Sequence, residues 1–287
     1  MFDVCVVGSA NLDLVATAAR APAPGETVLG HSYAEHAGGK GLNQAVAAAR
    51  SGAHTAFLGA LGTDAAGVLL RQVLELDGID HAGVRVDSNL PTGRALITVG
   101  DDGENSIVVV PGANAAVVVD SMPPARVVLA QLEIPLDAVI DAFRRGRASG
   151  AATVLNPAPA AELPDELLAL TDVVVPNEHE VTLLGGPEQL LGRGPESVIV
   201  TLGAEGARWY SSTGSVAVPP ITVAPIDTTG AGDAFCGSLC ARLAAGDQID
   251  VALIWAAAAG ALATTVAGAV PSLPHAASIV AALAERR

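Results

Sequence analysis

A chain of 287 residues, 51% hydrophobic but only 3% aromatic, can bury one large aliphatic core or two small ones and is not composed like a disordered protein. Its formal charge of −15 excludes a general nucleic-acid binder, which needs surplus Lys and Arg to displace phosphate counterions. The three cysteines, Cys5, Cys236 and Cys240, lack zinc-site spacing with histidine and fit reduced, buried thiols of a cytoplasmic protein.

"FDVCVVGSA" reads as a first strand, with Asp3 where a secretory leader would be basic, so no leader is expected. Residues 12–36 then break the strand–helix rhythm with "LDLVATAA" and "ETVLGHSYAEH", and residues 91–112 break it again. In the second stretch two β-rich runs flank the turn "DDGEN", a hairpin pattern. Together these regions predict a small inserted sheet that covers a site as a lid or pairs two subunits.

Between them lies "AGGKGLNQA", which holds Lys40, the chain's single lysine among 15 basic residues. Gly38, Gly39 and Gly41 permit positive φ or close approach of a ligand, and a helix beginning just after them turns its first N–H groups toward the turn. An ordinary glycine-rich turn fits equally well. The stretch is not a Walker A loop, because Ala34 and Gly41 stand where that motif needs Gly and Ser/Thr. Gln44 likewise breaks the dinucleotide pattern.

Further on, "HTAFLGALG", "RVVLAQLEI", "ATVLNPAP", "DVVVPN" and "SVIVTLG" read as strands apolar on both faces. "GLNQAVAAARSG", "DAAGVLLRQVLELDG", "PLDAVIDAFRRGRASG" and "LPDELLALT" read as helices, several closing on glycine. This alternation predicts an α/β fold, a doubly wound, mostly parallel sheet, with residues 1–287 forming one domain plus the lid. Residues 230–287 read as helical. "VALIWAAAAGALATTVAGAV", residues 251–270, is uncharged and long enough to span a membrane. Its alanines and glycines and the absence of a basic flank favour a buried core helix ending near Gly268, so no membrane partner is expected.

"DTTGAGDAFCGSL", residues 227–239, places Gly230, Ala231 and Gly232 at the start of a helix, with Asp233 in its first turn. Exposed amides and the helix dipole there form an anion hole. Asp233 reads either as a dipole-stabilising carboxylate or as a general base for phosphoryl transfer beside that hole. Phe235 stands where a third dinucleotide glycine should be.

With both glycine stretches in place, the sequence resembles the ribokinase-like (PfkB) family of carbohydrate kinases. "AGGKGLNQAVAAARSG" is similar to its first signature and "DTTGAGDAFCGSL" to its second, and the likeness runs from "GSANLDLV" to "GAVPSLP". "PGETV", "GENSIVVVPGANAAV", "QLEIP" and "LNPAPA" resemble its ribose-phosphorylating branch. The resemblance implies an ATP-dependent enzyme that phosphorylates O5 of ribose, dependent on Mg²⁺ and stimulated by K⁺. A family kinase for deoxyribose, adenosine or fructose is the alternative, and a sugar-binding protein without turnover a more distant one.

By that resemblance, Asn11, Asp13, Gly38, Gly39, Lys40, Asn43 and Glu133 bind the sugar. Asp233 takes the hydroxyl proton, and Gly230, Ala231 and Gly232 frame the anion hole. Asn177 in "PNEHE", with Thr201, Gly203, Gly206 and Gly232, faces the nucleotide, and Glu180 organises Mg²⁺. Asn177 and Glu180 also have the form of a helix capping box. A K⁺ site implied by the resemblance uses Asp227, Thr229, Ala263, Val266, Gly268 and Ser272. The resemblance also suggests a homodimer joined through the lid. One departure is the short "PEQLLGRGPE" before "SVIVTLG", where family members carry a longer helix, remote from the chemistry.

Overall fold

Val4 and Val6 pack into one apolar cluster while Cys5 and Val7 pack into another. This two-residue alternation on a strand covered by helices on both sides is the signature of a doubly wound sheet. The chain, described for residues 1–285 in a computed structural model, begins with β1 (Phe2–Val7), β2 (Asn11–Ala18), β3 (Gly30–Gly38) and α1 (Lys40–Arg50). It continues through β4 (Thr55–Leu58), β5 (Ala60–Gly62), α2 (Ala65–Leu76), β6 (Arg85–Asp87), β7 (Gly93–Val99) and β8 (Asn105–Val110). The central units are β9 (Ala125–Ala130), α3 (Leu136–Ala148), β10 (Ala152–Leu155), α4 (Asp165–Ala169), β11 (Val173–Val174), α5 (Glu178–Leu183), α6 (Pro187–Leu191) and β12 (Ser197–Thr201). A hairpin, β13 (Ala207–Ser211) and β14 (Gly214–Val218), precedes the helices α7 (Ala231–Ala244), α8 (Ile249–Ala263), α9 (Ala269–Ser272) and α10 (Ala276–Glu285).

The main sheet runs β14-β13-β12-β11-β10-β9-β1-β4. It is parallel from β4 to β12 and antiparallel only in the terminal hairpin. A second sheet, β3-β2-β7-β8, is the expected lid. β1 passes into β2 through residues 8–10, and β3 runs directly into α1. The small sheet therefore joins the main sheet at its carboxyl edge, where open α/β sheets bind ligands.

Alanine richness has a packing purpose. α1, α7 and α8 are lined by buried Ala45, Ala47, Ala48, Ala234, Ala256 and Ala259, each 0–1% exposed. Small side chains let helix backbones approach. At Gly237 a Cβ would lie 2.3 Å from the carbonyl oxygen of Gln44. That approach brings the first turn of α7 to the first turn of α1.

The structure departs from the sequence expectations in local ways. "HTAFLGALG" is not one strand. It breaks at Gly59, where a Cβ would meet the Gly8 carbonyl oxygen at 2.7 Å, and β5 leaves the main sheet to pair with β6. The β13–β14 hairpin was not anticipated. The uncharged stretch does form a buried helix, but α8 ends at Ala263, and Gly268, with φ +83°, instead precedes α9. The short segment at 186–196 retains one helix, α6, anchored by fully buried Leu190. Among the described residues, no helix is long and apolar enough to cross a membrane.

Candidate active site

The turn from β1 to β2 meets the start of α1 at van der Waals limits. Gly39 has φ +89°, and a Cβ there would lie 2.7 Å from the Asn11 amide nitrogen. Any other residue would be strained and would collide. The amides of the helix start are already taken. Lys40 N–H donates to Glu133 Oε2 (3.1 Å), Gly41 N–H to Ser9 Oγ (3.3 Å) and Leu42 N–H to the Ser9 carbonyl (2.8 Å). These N–H groups, expected to point toward the glycine turn, instead knit α1 to the β1–β2 turn. The glycines serve that close approach, and Lys40 alone projects chemistry from it.

Glu133 is fixed, not solvated: its Oε2 also accepts from Ser9 Oγ at 2.5 Å. Asp13, on β2, lies so near Gly38 that a Cβ there would sit 2.1 Å from its carboxylate. Burial, with Glu133 and then Asp233 nearby, pushes the Asp13 carboxyl up to about 7. Burial works against the charge on Lys40, but Asp233, Glu133 and Glu180 around it outweigh this and hold its ammonium above the usual lysine range. Three carboxylates around one cation answer why a single lysine is kept here: the site holds a compact positive charge among acids.

Gly230, in the left-handed region at φ +79°, caps the N-terminus of α7. A Cβ on Gly232 would meet nothing within 4 Å, so the front of this helix is open. Asp233, 8% exposed, sits in the first turn. Its Oδ2 accepts from Asn43 Nδ2 (2.9 Å) and its Oδ1 from Gln44 Nε2 (2.8 Å). Asn43 Oδ1 is buried without a donor, which suits a ligand hydroxyl. A cavity of about 240 Å³ is bounded by Lys40, Asn177, Glu180, Thr201, Gly230, Gly232 and Asp233. A second, of about 370 Å³, shares Thr201, Thr228 and Gly232 with it and extends over Gly203, Gly206, Ile221, Ala257 and Ala261. The two form a continuous path from Asp233 to an apolar slot.

On that path, Asn177 and Glu180 make the full capping box: Glu180 N–H donates to Asn177 Oδ1 (2.8 Å) and Asn177 N–H to Glu180 Oε2 (2.9 Å). Burial raises the Glu180 carboxyl overall, against the opposing effects of the Asn177 amide and Lys40. Asp227 ties two loops together. Its Oδ1 accepts from Thr229 N–H (2.9 Å) and Thr229 Oγ1 (2.6 Å), and its Oδ2 from Gly268 N–H (2.8 Å). These donors outweigh burial and hold its carboxyl below the usual range. Ile226 and Asp227 N–H both reach the Thr264 carbonyl, so the segments carrying Ala263, Val266 and Gly268 lie against the start of α7. Ser272 Oγ is turned to the Ala269 carbonyl.

Most of the residues singled out in the sequence therefore converge in two linked groups. Asp13, Gly38, Lys40, Asn43, Glu133 and Asp233 form the polar end. Thr201, Gly203 and Gly206 line the apolar slot. Asn11 is 2% exposed, and its Oδ1 accepts from Asn114 Nδ2 at 2.7 Å. Sequence reasoning missed Ser9, Asn114, Gln131 and Asn156, and used Gln44 only as a motif mismatch. All are buried polar residues. The available signal was a polar side chain on an otherwise apolar helix face or just past an apolar strand.

Comparison with known proteins follows the same lines. Residues 1–276 match the family model described as pfkB family carbohydrate kinase. A bifunctional ribokinase/ribose-5-phosphate isomerase A of Fructilactobacillus sanfranciscensis is 41% identical over 96% of this chain, which spans 55% of that longer protein. A ribokinase of Staphylococcus aureus is 37% identical over 94% of this chain and 96% of its own. Among solved structures, Arabidopsis thaliana ribokinase complexed with ribose and ATP superposes with a TM-score of 0.91 at 33% identity, covering 98% of both chains.

Proposed function

The chain belongs to the pfkB family of carbohydrate kinases, and from that premise we propose that it transfers the γ-phosphate of ATP to O5 of D-ribose, giving ribose 5-phosphate. The observation that carries the reading is the buried Asp233 carboxylate at the open N-terminus of α7, beside Lys40, where the polar pocket meets the apolar slot. The likeness to ribokinases along nearly the whole chain supports ribose as the acceptor.

In this reading the sugar lies between the lid and the carboxyl edge of the main sheet. Asn11, Asp13, Gly39, Asn43 and Glu133 hold its hydroxyls, with Gly38 leaving room for the Asp13 carboxylate. Asp233 accepts the proton of the attacking hydroxyl, so that the oxygen bonds to phosphorus as the bond to the leaving diphosphate breaks. The amides of Gly232 and Asp233, which no backbone carbonyl takes, stabilise charge on the moving phosphoryl group with the α7 dipole. Lys40 supplies a cation beside it. Asn177, Thr201, Gly203 and Gly206 receive the nucleotide, its base in the apolar slot.

Among the described residues, no group of three or more His, Cys, Asp or Glu is placed to hold a metal. The Glu180 carboxylate, a hard oxygen donor on the cavity wall, would hold an Mg²⁺ ion brought with the nucleotide, and the ion would neutralise phosphate charge. Around Asp227, a carboxylate and loop carbonyls of Ala263, Val266 and Gly268 are hard oxygen donors that fit K⁺, with Thr229 and Ser272 beside them; such an ion would steady the loop leading to Gly230. We assign the enzyme to the cytoplasm, consistent with three free, buried cysteines. We also assign it a homodimer through the lid, since β8 is exposed along its whole length.

The test is a coupled kinase assay on the purified protein with ribose, deoxyribose, fructose and adenosine as acceptors. Ribose should give the highest kcat/KM, by at least about tenfold. Another acceptor turning over far faster would overturn the assignment of the sugar.

A further inference from the structure

Asp233 is held from behind by a residue that never faces the cavity. We propose that Gln44 is a positioning residue for this reaction: its carboxamide fixes the plane of the Asp233 carboxylate through a buried amide relay anchored on the main sheet. The proposal rests on the reading of Asp233 as the base and goes beyond it, because it concerns what aims that base.

Gln44 is fully buried in α1. Its Oε1 accepts from Gln131 Nε2 at 2.6 Å, and because the Asp233 carboxylate only accepts, the NH2 of Gln44 is the end that faces it. Its Nε2 then has two protons. One goes to Asp233 Oδ1 (2.8 Å) and the other to Asn156 Oδ1 (3.0 Å). Asn156 is held in turn by donating to the Val175 carbonyl at 2.9 Å. Gln131 and Asn156 are the residues directly after β9 and β10, so the relay is fastened to the ends of two neighbouring parallel strands.

The need for such a relay follows from torsional freedom. The terminal torsion of an aspartate is broad, so packing alone leaves the carboxylate free to rotate. Asn43 restrains Oδ2 only, and Asn43 is itself open to ligand through its unpaired Oδ1. Gln44 restrains Oδ1 and contacts no ligand-facing surface. No other side chain meets all three partners. Asn is too short, an ionised Glu lacks both donors, and Leu or Met leaves Gln131 Nε2 and Asn156 Oδ1 without their Gln44 partner.

The test compares Gln44→Met and Gln44→Glu with wild type in steady-state kinetics from pH 6 to 9, with ribose affinity measured by calorimetry. Gln44→Met should lower kcat about 10- to 100-fold, the scale of a misaimed reacting group, with the ribose Kd within about threefold. In Gln44→Glu the introduced carboxyl donates to Asp233 only while it keeps its proton. Its kcat should therefore approach wild type at the acid end and fall relative to it as pH rises. A merely structural residue would lower Tm and leave kcat and the pH profile unchanged, and that result overturns the proposal. If Gln44→Met does not fold, a Gln44→Glu kcat ratio that is flat with pH overturns it. Substantial turnover by Asp233→Asn would instead sink the assignment of the base and leave the Gln44 result to be read separately.

Discussion

Asp13 carries a cost that the site imposes on stability. Burial, Glu133 and Asp233 move its carboxyl from 3.8 to about 7. An unfolded chain releases that proton near 3.8, whereas the folded chain keeps it until about 7. Between those values the folded state binds the extra proton, so stability falls as pH rises through the window and the full penalty is present above 7. Lys40 faces the same cluster but stays charged throughout. The Tm of the ligand-free protein should thus be higher at pH 6 than at pH 8, by about 2–3 °C. Asp13→Asn should flatten that dependence in differential scanning fluorimetry. An unchanged slope in Asp13→Asn would assign the dependence to other groups. At this scale the sequence displayed the charged participants and hid their supports. Lys40 and Asp233 stand out beside glycines. Ser9, Gln131 and Asn156 matter only because the fold places them against residues 32 to 124 positions away.

Among the elements, the contact that aligns the site is α1 on α7. Gly237 lets the helices meet with its Cα against the Gln44 carbonyl, and an added methyl would also press on Ala47 Cβ at 2.7 Å. Gly237→Ala should destabilise the protein by about 1–3 kcal/mol, as overpacking does, read from urea unfolding. It should also lower kcat, because Asn43, Gln44 and Asp233 bridge those helices. A variant with normal kcat and lowered stability would separate packing from alignment. The helices were legible because their apolar periodicity and terminal glycines are local signals: α1, α2 and α3 lie within two residues of the expected bounds. The strands were legible as runs but not as pairings. Nothing local in "HTAFLGALG" says that Gly59 must clear the Gly8 carbonyl. Likewise, the β13–β14 hairpin adds to the sheet antiparallel, outside the alternating pattern that identified the rest.

For the whole molecule, the start of α1, the carboxyl edge of the sheet and the helix α7 build one cavity from segments spread along the sequence. The two glycine stretches contribute Lys40, Gly230, Gly232 and Asp233 to one cavity wall. They do not show that α1 spends its amides on the β1–β2 turn, whereas in α7 the Ala231 amide goes to the Thr228 carbonyl and those of Gly232 and Asp233 meet no backbone carbonyl. The proposed function divides the labour: residues of the small sheet and the strand ends would bind the sugar, and the start of α7 would react. Asp233→Asn tests this most directly, because it keeps the volume while removing the base, at the loss of one of the two bonds accepted from Asn43 and Gln44. The account predicts that kcat for ribose phosphorylation falls by at least about 10³-fold, with ribose and ATP binding within a few-fold of wild type by calorimetry. Turnover within tenfold of wild type would contradict it.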